Sequence, residues 1–220
     1  MEIAGFEARL RTVGLSDGER ARAVRLWEVA DLERYVDRDE LLRAAAPAEP
    51  PYWALVWSGA EALARAVVGA AGLIGRRVLD LGAGLGLSGL AAGLAGAEVT
   101  FADLRPESLA FAAASARANG LVGWRTVLLD FTRDTLDRRF DLVLAADVVY
   151  DPLQHEALAA FLDRHVASDG AAWVTDRLYV ATDAFFVRLR ERGFRDAVED
   201  LTVPEMGEAM RTRLHRLTRR

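Results

Sequence analysis

Val78-Leu79-Asp80-Leu81-Gly82-Ala83-Gly84-Leu85-Gly86 reads as a buried strand, a glycine turn and the start of a helix. The strand is apolar except for Asp80, two residues before the first glycine. Glycines at alternate positions let the chain turn sharply and let a ligand approach the main chain closely. The next expected strand ends at Asp103. An acidic residue about 20 positions beyond such glycines commonly holds ribose hydroxyls. The stretch therefore points to a nucleoside-bearing cofactor on an α/β sheet.

Two cofactors compete for this turn, because Gly84-Leu85-Gly86-Leu87-Ser88-Gly89 also fits the dinucleotide pattern G-x-G-x-x-G. A dinucleotide would rest its pyrophosphate on the helix N-terminus, where backbone N–H groups favour anions. A carboxylate at Asp80 would repel it. S-adenosylmethionine carries a sulfonium and an ammonium instead, and Asp80 favours both, directly or through water. The blander reading is a tight βα turn with a capping aspartate. Asp103 at the expected distance argues against it.

Outward from the turn, strand and helix alternate. The pattern predicts strands over Val78–Leu81, Glu98–Ala102, Thr126–Leu129, Phe140–Ala146 and Ala171–Thr175. It predicts helices over Ser58–Ala70, Leu87–Ala95, Pro106–Asn119, Leu153–Val166 and Ala181–Arg192. Short apolar strands between helices imply a parallel sheet covered on both faces. Phe194–Val203 and Met210–Leu217 read as two strands with no helix between them, hence an antiparallel pair. The expected fold is a doubly wound, Rossmann-like α/β sheet, mostly parallel, with a short N-terminal extension. Residues 1–20 show no strong period, residues 22–36 fit a hairpin, and Pro47-Ala48-Glu49-Pro50-Pro51 fits a stiff turn. These place an extension at 1–50 and the main domain at 51–220.

The 220 residues suffice for one sizeable core, and a hydrophobic fraction of 52% excludes a disordered chain. A net charge of −5 argues against a general nucleic-acid binder. There is no cysteine, so no disulfide framework or thiolate metal site is expected. His155, His165 and His215 lack metal-ligand spacing. No signal peptide or membrane-spanning run is read, so a cytoplasmic setting is expected. All 28 basic residues are arginine. Genome base composition accounts for this most simply; a lysine-modifying enzyme so built could not modify its own side chains.

In doubly wound sheets ligands sit outside the carboxyl ends of the strands. Asp103, at one such end, can accept from both ribose hydroxyls. Asp130 can accept from an adenine amino group and Phe131 can pack on the purine, although a loop start with a core phenylalanine fits nearly as well. Asp147 and Tyr150, after the fourth strand, face the position of a transferable methyl and could orient a nucleophile. The alternative is an aspartate satisfying local backbone and a core tyrosine. Trp53 and Trp57 either wall off the cofactor or anchor a helix on the sheet. Arg211, Arg213, Arg216, Arg219 and Arg220 could dock an acidic protein, but the solvated face of an edge strand is the simpler expectation.

With these residues in view, the chain resembles the seven-β-strand, class I S-adenosylmethionine methyltransferases. Within them it is similar to the family 16 protein lysine methyltransferases, the group of the electron-transfer flavoprotein β-subunit enzymes. The resemblance covers about residues 50–200. It rests on Pro51-Tyr52-Trp53-Ala54-Leu55-Val56-Trp57, on Asp80 to Gly86, and on Asp147-Val148-Val149-Tyr150, which matches the group's D-x-x-Y motif. Phe131 stands where the group often has tryptophan. The resemblance implies cofactor contacts at Trp57, Gly82, Gly84 and Asp103, with Asp130 or Phe131 near adenine. It also implies substrate positioning by Asp147 and Tyr150, and a seventh, antiparallel strand inserted beside the fifth. Asp80 and Gly86 complete the expected cofactor turn. The expected activity is methylation of a protein lysine. A small-molecule amine as acceptor, or a non-catalytic cofactor-binding module, are the alternatives. No nucleic-acid, membrane or metal partner is expected.

Overall fold

The computed structural model describes residues 1–35, 51–177, 182–205 and 208–219. After an N-terminal meander of β1 (Glu2–Ile3), β2 (Phe6–Ser16) and β3 (Ala21–Val29), helix α1 (Ser58–Gly69) leads into the alternating unit. That unit runs β4 (Arg77–Leu81), α2 (Leu87–Leu94), β5 (Glu98–Asp103), α3 (Pro106–Ala118), β6 (Trp124–Leu128), β7 (Phe140–Ala146), α4 (His155–His165), β8 (Val166–Arg177) and α5 (Asp183–Glu191). It closes with β9 (Phe194–Glu205) and β10 (Glu208–Arg219). Ten of these strands form two sheets, one of three strands and one of seven in the order β6-β5-β4-β7-β8-β10-β9. β10 pairs antiparallel with both β8 and β9, and the pairings from β6 through β8 are parallel. The expected inserted antiparallel strand is therefore β10.

The central strands are apolar because both of their faces are covered. Val78, Val99, Phe101, Leu142 and Leu144 face one core, with α1, α2, α3 and the N-terminal sheet. Leu79, Leu81, Ala102, Val143 and Ala145 face the other, with α4 and α5. This alternation fixes the register, since a slip of one residue would exchange the two faces. Asp80 falls on the Val78 side, beneath α2. Chain order reverses at β4, whose neighbours are β5 and β7. The crevice at their carboxyl ends is where a doubly wound sheet binds its ligand.

Three expectations need correction. Residues 22–35 do not hold a hairpin: Ala21–Val29 is one strand, and its partner is the upstream β2, with Ala8 opposite Val29 and Ser16 opposite Ala21; Val36 lies outside the described residues. The stretch 1–20 concealed this because β2 exposes most of its residues and buries only Ala8, Val13 and Leu15. Arg211, Arg213, Arg216 and Arg219 do not lie on an edge strand, since β10 is flanked on both sides, and Arg220 lies outside the described residues. Arg213 pairs with Asp176, Arg216 with Glu199 and Arg219 with Asp163. Lastly, the fifth strand is longer than its apolar stretch, beginning at Val166. Residues 47–50 of the expected stiff turn and Ala181 of the expected last helix lie outside the described residues.

The N-terminal sheet is fastened to the α3 layer by directional contacts. Trp27 donates its N–H to Ser115 Oγ at 2.9 Å, and Arg25 exchanges backbone bonds with the Asn119 side chain at the end of α3. Phe6 meets Trp53 edge-on at 5.3 Å, and Trp53 in turn meets Phe111 at 5.5 Å. Such ring pairs add specificity to the area they bury. Trp53 thus joins the N-terminal sheet to α3, a contact that differs from the expected anchoring of a helix on the sheet, while also lining the crevice.

Candidate active site

The glycine turn joins β4 to α2. Gly82, Gly84 and Gly86 have φ of 65°, 53° and 84°, a region costly for residues with a Cβ. Space forbids side chains as well. A Cβ at Gly82 would lie 2.6 Å from Val148 Cγ1, and one at Gly86 would lie 2.9 Å from Ala112 Cβ. Asp80, 2% exposed, accepts the Gly89 N–H of the first turn of α2 at 2.9 Å. Burial pushes its carboxyl up to about 7; the Gly89 bond opposes this and the Asp103 charge adds to it. The helix start that would receive a pyrophosphate already holds a carboxyl.

Asp103 ends β5. Its Oδ2 accepts from Gly84 N and its Oδ1 from Arg105 N, both at 2.9 Å. Each oxygen keeps a further lone pair for a ligand hydroxyl. Asp130, past β6, accepts from the Thr132 hydroxyl and N–H, which hold its carboxyl below the ordinary value. Phe131 beside it is half-buried and packs on the α4–α5 core.

Asp147 follows β7 with φ of 53°, a strained value for a residue with a side chain. Its Oδ2 accepts the Gly59 N–H of α1 at 3.1 Å and lies 3.7 Å from Arg177 Nε. Its Oδ1 is buried and has no hydrogen-bond partner. Burial pushes this carboxyl up to about 6, against the pull of Arg177 and the Gly59 N–H. A Cβ at Gly59 would fall 2.3 Å from Oδ1, so glycine is required there. Tyr150 lies on the same wall, 56% exposed. Trp57 donates its indole N–H to Tyr52 O at 2.8 Å and presents its ring to the Arg177 guanidinium.

These groups meet in one cleft of about 730 Å³, within the range of about 300–1,000 Å³ typical of small-molecule sites. Trp57, Asp80, Gly82, Gly84, Asp103, Asp130, Phe131, Asp147 and Tyr150 all line it. Gly86 does not; its part is the left-handed residue preceding α2. Sequence reading missed Gly59, Asp176, Arg177 and Glu205. Asp176 and Arg177 are the last two residues of the fifth strand, so the strand-end rule could have found them. Gly59 and Glu205 had no such signal. Among the described residues no group of side chains is suited to hold a metal ion, and no helix is long and apolar enough to cross a membrane.

The seven-stranded sheet, its inserted last strand and this crevice define the fold of the class I methyltransferases. Solved structures share it. One is the 16S rRNA N2 G1207 methyltransferase (RsmC) of T. thermophilus, in complex with AdoMet and guanosine. It matches with a TM-score of 0.63 and 19% identity over 97% of this chain and 51% of that one. Another is the magnesium protoporphyrin IX methyltransferase (ChlM) of Synechocystis with bound SAH, with a TM-score of 0.61 and 18% identity over 73% and 81%.

Within that class the chain belongs to the lysine methyltransferase family, whose profile matches residues 52–192. It is 32% identical over 146 residues to the electron transfer flavoprotein beta subunit lysine methyltransferase of Mus musculus, covering 66% of this chain and 52% of that protein. It is 34% identical over 148 residues to protein N-lysine methyltransferase METTL21A of Danio rerio, covering 63% and 67%. The chain spans about half the length of the flavoprotein-modifying relatives it matches.

Proposed function

We infer that the protein methylates a lysine side chain of another protein, with S-adenosylmethionine as donor. The observation that carries this is the pairing, in one cleft, of a glycine turn closed by Asp103 with the partnerless buried Oδ1 of Asp147. Buried polar atoms are nearly always bonded, so an orphan acceptor in a cleft marks the place of an absent donor. A substrate N–H fits it. Family membership and the activities of the relatives point to the same chemistry.

The residues divide into two groups. Gly82 and Gly84 let the cofactor lie against the main chain, Gly86 shapes the turn, and Asp103 receives the ribose hydroxyls. Asp80 offsets the cofactor's positive charge, Trp57 walls the cleft, and Asp130 with Phe131 borders the base. Bound S-adenosylmethionine would supply an electrophilic methyl on a sulfonium; the acceptor amine, having given one proton to water, would take the methyl and become the methylated ammonium, with the thioether as the leaving group. Asp147 orients the amine and Tyr150 lines its approach. Lysine titrates near 10.4 in water and must be neutral to react, so the chain must position it where the charged form is disfavoured. Tyr52, Leu104 and Tyr150 are exposed large side chains on the cleft wall. An open apolar margin of this kind suits a polypeptide acceptor.

The test is methyl-labelled S-adenosylmethionine with purified protein and host extract, products being separated into protein, nucleic-acid and small-molecule fractions. Label on a discrete protein, lost in Asp147→Ala while cofactor binding persists, is expected. Label confined to small molecules would make the acceptor a metabolite. Cofactor binding with no label anywhere would leave a non-catalytic module.

A further inference from the structure

Arg177, at the end of β8, draws together elements far apart in sequence. Its Nη2 donates to Glu205 Oε2 of β9 at 2.7 Å, and its Nε lies 3.7 Å from Asp147 Oδ2. Its guanidinium carbon sits 4.5 Å from the Trp57 ring centroid. The two carboxylates are fixed in turn by the start of α1. Ser58 N–H donates to Glu205 Oε2 at 2.6 Å and Gly59 N–H to Asp147 Oδ2 at 3.1 Å. A helix start offers unpaired N–H groups and the positive end of its dipole, so it holds carboxylates well. The three charged side chains are only 11–13% exposed, so solvent screens them weakly.

Among the described residues, two carboxylates against one guanidinium leave one excess negative charge beside Asp147 Oδ1. The other described groups around Arg177 do not cancel it. β10 places the uncharged Thr212 opposite Arg177, and Asp176 is engaged by Arg213 and Thr182. Tyr150 lines the same cleft. An amine held at Oδ1 would titrate in the field of all three charges. We propose that Arg177 and Glu205 are a positioning pair that sets the charge balance at Asp147, and with it the pH at which the acceptor amine becomes a nucleophile. The inference rests on the lysine-methylation reading of this site. Arg177 disfavours an ammonium beside it and keeps Asp147 ionised; Glu205 does the reverse on both counts. Before attack the ammonium gives its proton to water, and the pair decides how readily.

The two residues therefore pull in opposite directions, which a merely structural role would not do. Arg177→Gln removes the cation. Glu205→Gln removes a negative charge and keeps an oxygen for the Ser58 N–H. The first readout needs no acceptor: carbon-13 NMR titration of the Asp147 carboxyl, assigned with Asp147→Asn. Its midpoint should rise in Arg177→Gln and fall in Glu205→Gln. The second is single-turnover labelling, between pH 6 and 10, of the extract protein that the wild type methylates. The rising limb should move up by about one to two pH units in Arg177→Gln and down in Glu205→Gln, with Arg177→Lys returning it toward wild type. Should Arg177→Gln fail to fold, Glu205→Gln carries the test alone. Variants that are folded and leave both titrations unmoved, or shift them in the same direction, overturn the pair's role while leaving lysine methylation standing. A wild type that labels no protein overturns that reading, and this inference with it.

Discussion

On the proposed cofactor-binding role of Asp80, affinity should depend on pH with a definite sign. Its carboxyl is 2% exposed, bonded by Gly89 N–H, and pushed by burial up to about 7. A sulfonium and an ammonium bind the ionised form in preference. At pH 8 the carboxyl is mostly ionised and affinity is near its ceiling. At pH 6 about one molecule in ten is ionised, so Kd should rise about tenfold, and by nearly tenfold again at pH 5. Asp80→Asn removes the dependence and binds weakly throughout. Its effect on the empty protein has the opposite sign. A carboxyl whose folded value lies above its unfolded 3.8 stabilises the fold most below 3.8 and loses that contribution as pH rises through about 7. Above pH 7 the cost of keeping this charge buried approaches about 4 kcal/mol as an upper bound. Asp80→Asn, which keeps an oxygen for Gly89 N–H, should therefore raise Tm at pH 8 while weakening cofactor binding. Calorimetric titration from pH 5 to 8.5 and thermal melts provide both measurements. A wild-type Kd that is flat over this range would refute the reasoning. Asp147, near 6 in the same cleft, is separated by repeating the titration in Asp147→Asn.

Other substitutions test the frame around the site. Gly59→Ala puts a methyl 2.3 Å from Asp147 Oδ1; displacement of the carboxylate should cut methyl transfer by about a hundredfold while cofactor affinity, by calorimetry, stays close to wild type. Trp53→Ala removes the ring between Phe6 and Phe111 and should cost about 3 kcal/mol in denaturant unfolding, with hydrogen exchange accelerating in β2 and β3. Asp176, held at about 2 by His215, Arg213 and Thr182 although burial opposes them, stabilises the fold above about pH 4 and loses that contribution as pH falls toward 2. Asp176→Asn should accordingly cost about 3 kcal/mol at pH 7 and much less near pH 2.5, as read from urea unfolding at the two values.

The doubly wound half of the fold is legible because its signals are local. β4, β5 and β7 are short, mostly apolar runs buried on two faces, and their expected and observed bounds agree closely, Phe140–Ala146 to the residue. Periodicity failed where burial is one-sided and charge is mixed. β2 carries Glu7, Arg9 and Arg11 among its exposed positions, and Arg9 and Arg11 both reach Glu28 on β3. That cross-strand pairing makes a charged stretch a good strand, yet it exists only once the partner is known. The tail arginines failed similarly. Insertion of β10 between β8 and β9 converts what reads as a solvated edge into an interior strand whose charges find partners on both sides.

The site divides along the same line. Asp80, Asp103 and Asp147 each sit in or just past a strand of the parallel unit, where a sequence rule assigns meaning to a carboxylate. What that rule cannot supply is the charge of the place. Asp147 lies 88 residues from Gly59, which donates to it, and Ser58 lies 147 residues from Glu205. Glu205 belongs to β9, an edge strand, which joins the sheet through β10 and its pairing with β8. On the proposed reading, the cofactor end of the cleft is thus written in one βα unit and its neighbour. The proposed acceptor end is assembled from α1, β7, β8 and β9 and needs the whole sheet in place. Substitutions that loosen the β8–β10–β9 pairing, far from the glycine turn, should consequently impair methyl transfer before they impair cofactor binding.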